Sequence, residues 1–421
     1  MVTETMRDFI RNETRERFLR YVQVYTTSDE ESPTTPSTER QFDLARMLEG
    51  ELRELGLKEV HCDEHAYVYA TLPARDAAEG APAIGLVSHM DTSPDQPGEN
   101  VKPIRHEDYD GGVIRFPDDP ELTLSPDDSP ELTCFEGETI ITASGKTLLG
   151  ADDKAGLAEI MAALAAWQRF PELPHGEIRV CFTPDEEIGR GTVKLDLERL
   201  PFYCYTMDGE APGDIETECF DAWRADLVFK GIGVHPGYAK DKMINAAAVA
   251  GRFLAALPEW EAPEHTADRE GFYHLVSLEG NFENAKASWI IRDFEEAGNA
   301  RRIEHLKTLI RAFESRYPGL SIELNVRHQY QNMRDIIREH PRAVELAVKA
   351  IEDAGLEPRL KSIRGGTDGS ALTQKGHPTP NLFAGGFLFH SRKEWIAESS
   401  MVKGTETLLH LGARWAREPG K

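Results

Sequence analysis

The sequence predicts an α/β fold interrupted by a smaller α+β domain, and three observations carry that expectation. Over residues 1–216, short apolar runs that end in acidic or histidine-bearing turns alternate with longer helical patterns. From 217 to 328 the texture changes to long strand patterns around two helical stretches, and from 329 to 421 the alternation returns. Chemically suggestive groups stand on both sides of the middle segment. The simplest arrangement therefore inserts 217–328 into a domain built from 1–216 and 329–421.

Taken in order, residues 6–24 and 41–55 carry apolar positions at helical spacing, and Gly56 suits the C-terminal cap of the second. Both read as surface helices. The segment 67–72 reads as a strand, and 83–87 as another that stops just short of His89. From 94 to 130 the chain is rich in Asp, Glu, Pro and Gly, the composition of a long irregular excursion. Strands are expected over 139–142, 176–182 and 204–207, with a helix over 155–168 between the first two. In the middle segment, 218–230, 272–280, 286–293 and 319–327 read as strands and 241–257 and 296–316 as helices. A helix over 342–354 follows, and GGTDGS at 365–370 reads as a tight turn with exposed amides. That turn is no phosphate loop, because the Gly-Lys-Ser/Thr ending is missing.

Composition narrows the partners. With 48 Lys plus Arg against 73 Asp plus Glu, the formal charge is -25, which disfavours nucleic-acid backbones, whose binding draws on Lys and Arg displacing counterions. The five cysteines form no close-spaced pair and leave an odd number, which fits a reducing compartment. The N-terminus lacks the apolar stretch of a secretory signal, and no uncharged run approaches the roughly 18 residues of a membrane span. A cytoplasmic protein without membrane partners is expected.

Five segments concentrate metal-capable groups near strand ends: His89 with Asp91, Asp152 with Asp153, Glu186 with Glu187, Asp208 with Glu210, and His390. Any one pair has an ordinary reading as solvated surface or helix cap. Their recurrence after apolar strands is harder to dismiss. His89 and Asp91 are two apart, so on extended backbone they share a side and the carboxylate can orient the imidazole toward a metal. Asp152 and Asp153 precede a helix, where either caps its amides or bridges two cations. Lys154 beside them either moderates that charge or lies at the surface. Neighbouring Glu186 and Glu187 diverge from the backbone, so one can ligate while the other serves as base toward a metal-bound water.

These segments belong to a longer series of motifs: HMDTSPD at 89–95, GKTLLGADDKAGLAEIM at 145–161, PHGEIRVCFTPDEEIGRG at 174–191, GVHPG at 233–237, EGFYHL at 270–275, IIRDF at 290–294, NMRD at 332–335, IRGGTDGS at 363–370, and NLFAGG followed by His390. In that order they resemble the M20 family of co-catalytic zinc aminopeptidases, over nearly the whole chain. The resemblance implies a mixed-sheet catalytic domain with an inserted lid and dimerisation domain, through which a homodimer forms. It implies two Zn2+ ions: His89 and Asp208 on the first, Glu187 and His390 on the second, and Asp152 bridging. Asp91 then orients His89, and Glu186 is the general base that works with a bridging hydroxide on the first peptide bond of an unblocked tripeptide. His235 resembles the family's oxyanion donor, often supplied across a dimer. Asn245, Arg292 and Arg364 resemble its substrate-holding set, with Arg292 suited to the peptide carboxylate; without the resemblance, Arg292 reads as a strand-surface ion-pair residue. Two departures stand out: Glu210 follows Gly209 where the pattern commonly has a second Gly, and SRKEW after His390 lacks a second His but keeps Glu394. The competing readings are another M20 hydrolase (dipeptidase, carboxypeptidase or N-acyl amidohydrolase) and a metal-stabilised binding protein without catalysis. Retention of Glu186 counts against the last.

Overall fold

The structure is a computed structural model that describes residues 2–419. It divides into two compact units, the first comprising the chain up to Thr217, Ile336–Lys361 and everything from Thr367 onward, the second Glu218–Asp335 with Ser362–Gly366.

The first unit is organised by an eight-stranded mixed sheet in the order Lys58–Cys62, Val68–Leu72, Ile178–Thr183, Ile84–His89, Tyr203–Gly209, Asn381–Phe383, Asp214–Cys219, Arg359–Ile363. Its middle four strands run parallel. All residues of Ile84–His89 are buried, which explains the unbroken apolar run of a strand covered on both faces. The helix Ala151–Arg169 is buried along nearly its whole length, and its many alanines let Glu4–Tyr21 and Glu398–Trp415 pack against it. Each large side chain enclosed there, such as Trp167 or Leu408, contributes roughly 1.5–3 kcal/mol by leaving water.

Several expectations needed correction. The strand expected to end before His89 runs through it, because the ladder with Ile178–Thr183 pairs His89 with Thr183. The supposed irregular excursion contains Ile104–His106, Ile114–Phe116 and Asp119–Leu124, strands mostly too short to display an alternation. The first of these joins a small sheet with Ile140–Thr142, Trp395–Ala397 and Gly386–Phe387. Glu4–Tyr21 lies against the core rather than merely on the surface, burying Met6, Ile10, Phe18 and Tyr21. In GGTDGS, Thr367 begins a helix, Asp368–Gln374, through a reciprocal capping arrangement with Ser370. The helix Glu398–Trp415 had no sequence expectation, because its apolar positions are diluted by Thr, Ser and Gly that are nonetheless buried.

The second unit is a four-stranded antiparallel sheet in the order Phe272–Gly280, Asn284–Asp293, Asp221–Lys230, Ser321–Tyr330. The helices Ala246–Leu254 and Glu296–Arg316 pack against it around Phe229, Phe253, Trp289 and Phe313. The strand expected over 218–230 is two, Asp214–Cys219 and Asp221–Lys230, separated at Phe220.

Candidate metal centre

The carboxyl ends of the parallel strands gather the chemistry, as open α/β sheets generally arrange it. His89 is the last residue of its strand and Asp208 the penultimate residue of Tyr203–Gly209. Glu186 and Glu187 form the short turn after Ile178–Thr183. Asp152 lies at the start of Ala151–Arg169, where its own backbone and that of Asp153 depart from helical values. His390 follows Gly386–Phe387 in the left-handed region at φ 57°.

These segments converge. His89 Nε2 is 2.8 Å from Asp152 Oδ1 and 3.5 Å from Asp208 Oδ1. His390 Nε2 is 3.2 Å from Asp152 Oδ2 and 2.8 Å from Glu187 Oε2. Asp152 thus stands between two imidazoles, one oxygen toward each. Donor atoms of His89, Asp152 and Glu187 lie within 4.8 Å of one another, as do those of His89, Asp153 and Asp208.

Asp91 does more than the spacing suggested. Its carboxylate accepts the Glu186 N–H at 2.9 Å and the Glu187 N–H at 3.2 Å, fixing the turn that presents both acids. The closer partner of His89 Nδ1 is the Asp91 carbonyl at 3.1 Å, with the carboxylate at 3.5 Å.

The electrostatics are those of an acidic nest countered in part by two imidazoles: against burial, hydrogen bonds with His390 and His89 hold Asp152 well below the usual carboxylate range. Burial and the nearby Asp208 push Glu186 well above the usual carboxylate range, and burial with Asp152 pushes Glu187 up to about 8. Burial also raises Asp208 to about 6, against the opposing pull of His89. Hydrogen bonds with Asp152 and Glu187 lift His390 to about 11, and burial's downward pull on His89 is overcome by Asp208 and the bonded carboxylates. Among the described residues, no Lys or Arg pairs with these acids; the buried Lys154 gives its ammonium to the Val24 carbonyl at 2.8 Å. Glu187 Oε1 is buried with no partner. Two imidazole nitrogens, several carboxylate oxygens and an orphaned acceptor fit divalent cations of the zinc class.

Asp153, which the sequence reading offered as a cap or a bridging carboxylate, braces the His89 strand, and other supporting residues escaped that reading. Asp153 Oδ2 accepts from Ser88 Oγ at 2.5 Å and the His89 N–H at 3.2 Å. A Cβ at Gly156 would collide with the Met207 carbonyl oxygen and lie 2.5 Å from Asp153 Oδ1, so the glycine lets both approach the helix. Asn381 accepts the Asp208 N–H at 3.0 Å and donates to Glu216 at 2.6 Å. Asp185, buried at φ 58°, is held by Ser37 and Gln41 and anchors the Glu186–Glu187 turn.

The remaining expected site residues lie in the second unit. His235 is exposed, and its Nδ1 accepts the Gly237 N–H at 3.1 Å. Asn245 caps Ala246–Leu254 by accepting the Ala248 N–H at 3.0 Å. Arg292 is 8% exposed, donates to the Trp223 and Ile291 carbonyls and lies over the Tyr330 ring, unlike the surface ion-pair residue its strand position suggests. Arg364 is held by the carbonyls of Asp268 and Glu270 and by Thr266 Oγ1. In the first unit, Glu210 is exposed.

A fold with this strand order and this nest of ligands at its carboxyl edge has a match among known families. The model of peptidase family M20/M25/M40 matches residues 148–414. The chain belongs to that family, and is a metallopeptidase. Peptidase T of Listeria welshimeri is 47% identical to it over 403 residues, covering 96% of this chain and 98% of the relative. Among solved structures, aminopeptidase PepT from Bacillus cereus shares the fold with a TM-score of 0.75 at 24% identity, over 97% of this chain and 99% of that one. A Staphylococcus aureus tripeptidase gives 0.77 at 22% identity, with the same coverage of each chain.

Proposed function

We propose that this M20 peptidase is a tripeptide aminopeptidase that works with two zinc ions and releases the N-terminal residue of unblocked tripeptides. The carrying observation is Asp152 set between His89 and His390, with Asp208 and Glu187 at their sides. In this reading His89 and Asp208 hold one ion, Glu187 and His390 the other, and Asp152 both. Such a pair, when bound, supplies Lewis acidity and a water acidified toward neutral pH.

The chain's own groups do the rest. Glu186, whose side chain has no hydrogen-bond partner among the described residues, takes the proton of the attacking water and returns it to the departing amine. Asp91 keeps that base in place through the amides of the turn. His235 donates to the oxygen on which negative charge develops, from its own chain or a partner's. Arg292 receives the peptide carboxylate through its planar fork, and Asn245 and Arg364 complete the substrate-holding set.

Assembly as a homodimer through the second unit is part of the same reading. Its edge strand Phe272–Gly280 leaves Val276 and Leu278 exposed, a surface open to pairing. We place the protein in the cytoplasm, without nucleic-acid or membrane partners; no described helix is long and apolar enough to cross a membrane. The test is a panel of defined di-, tri-, tetra- and N-blocked peptides given to metal-analysed protein, with products identified by mass. Cleavage of tripeptides alone, at the first bond, is expected. Preference for dipeptides or acylated amino acids would replace the tripeptide assignment with another M20 activity.

A further inference from the structure

Glu394 stands four residues beyond His390 and is 1% exposed. Its Oε2 accepts the N–H of Leu149 at 2.7 Å and of Gly150 at 2.8 Å, and its Oε1 accepts the N–H of Asp152 at 3.1 Å. These amides lie at the start of Ala151–Arg169, whose N-cap, Gly150, has no side chain to satisfy them. A carboxylate more than 200 residues away along the chain fills that role, where the helix end also favours negative charge.

The segment carrying Glu394 is itself firmly held. Ser391 Oγ donates to the Leu388 carbonyl at 2.7 Å and accepts the Lys393 N–H at 3.1 Å, bracing the turn around His390. Immediately after Glu394, Trp395 pairs with Thr142 in the small sheet, and its indole N–H reaches Ser129 Oγ at 3.1 Å. One side chain therefore joins the two loops that bring His390 Nε2 to 3.2 Å from Asp152 Oδ2.

We propose that Glu394 is a positioning residue: by gripping the amides of Leu149, Gly150 and Asp152 it sets the spacing between Asp152 and His390, and with it the affinity for the ion they share. The inference rests on the two-metal reading above. Glu394→Gln keeps one acceptor oxygen but turns an NH2 group toward backbone N–H donors, so the grip is lost with little change of volume. Glu394→Asp keeps the charge and withdraws it by about 1.5 Å, one carbon–carbon bond.

The experiment titrates zinc into metal-free protein against a chromogenic chelator, for the wild type, Glu394→Gln, Glu394→Asp and Arg342→Ala. The last breaks the Arg342–Glu418 pair and serves as a control for general loss of stability. Both Glu394 variants are expected to weaken one of the two ions roughly 10–100-fold, the usual cost of losing a residue that orients a metal ligand. The other ion, which Asp152 also holds, should weaken less, and the far-ultraviolet circular dichroism and the affinities of Arg342→Ala should stay near wild type. Glu394→Asp reports on its own if Glu394→Gln does not fold. Wild-type affinity in both Glu394 variants, or a parallel loss in Arg342→Ala, overturns the inference. A wild-type protein that binds no zinc overturns instead the metal reading beneath it.

Discussion

Two clusters of acids in this molecule are treated in opposite ways. In the second unit, Glu218 accepts from Arg269, Arg334, Asn332 and Ser362, and Glu295 is bonded by Arg269 and Arg334. Burial alone would raise Glu218, but the bonds from Arg269 and Asn332 bring it below the usual carboxylate range, and Arg334 does the same for Glu295. At the carboxyl edge of the large sheet, Asp208, Glu186 and Glu187 meet other acids and two histidines, and all three are raised. The first cluster is electrically complete as it folds. In the proposed reading the second is completed by cations from outside, so the same residue type signifies structure in one place and chemistry in the other.

The sharpest break of this comparison is at the base. Glu186→Gln should lower kcat roughly 10²–10⁴-fold while both metal ions remain, since in the proposed reading the residue moves a proton and ligates nothing. The measurement is steady-state hydrolysis of a tripeptide beside elemental analysis of the same preparation; unchanged turnover would remove Glu186 from the mechanism. Chelation should abolish activity altogether and restored zinc should recover it. Restoration should also stabilise the fold, by about 2.7 kcal/mol for each ion at free metal one hundred times its dissociation constant. A denaturation midpoint indifferent to metal would mean that the acidic nest needs no cation.

Much of this second cluster was legible in the sequence, because each candidate ligand sits in a short motif near the end of an apolar strand. The structure brings the side chains of His89, Asp152, Glu187, Asp208 and His390 together. What holds them was not legible. Glu394 reaches Gly150 across 244 residues and Gln41 reaches Asp185 across 144, and no local spacing encodes such bonds. The same physics divides the fold. Glu296–Arg316 and Phe272–Gly280 follow their periodicity to the residue, whereas Ile104–His106 exists only because Ile140–Thr142 pairs with it. Arg292 reads as a surface residue for a related reason: strand alternation says which side a residue takes, but not that Tyr330 and two carbonyls enclose it there.

The contrast between the clusters extends to the sign of a single substitution. Glu218 has its folded pKa depressed, so its contribution is complete above the unfolded value of about 4.5 and is lost as pH falls through the folded one. Glu218→Gln should therefore cost about 2 kcal/mol at pH 7, the worth of charged hydrogen bonds, and the gap to wild type should narrow toward pH 4. Glu187 is the reverse case in metal-free protein. Raised to about 8 by burial and Asp152, it makes the fold less stable as pH climbs from its unfolded value toward its folded one. Glu187→Gln should consequently match or exceed metal-free wild type at pH 7 by about 1 kcal/mol, with the advantage growing between pH 5 and pH 8. Urea midpoints from below pH 4 to pH 8 check both variants. If the two shift in the same direction, the distinction between a self-neutralised cluster and one awaiting cations fails.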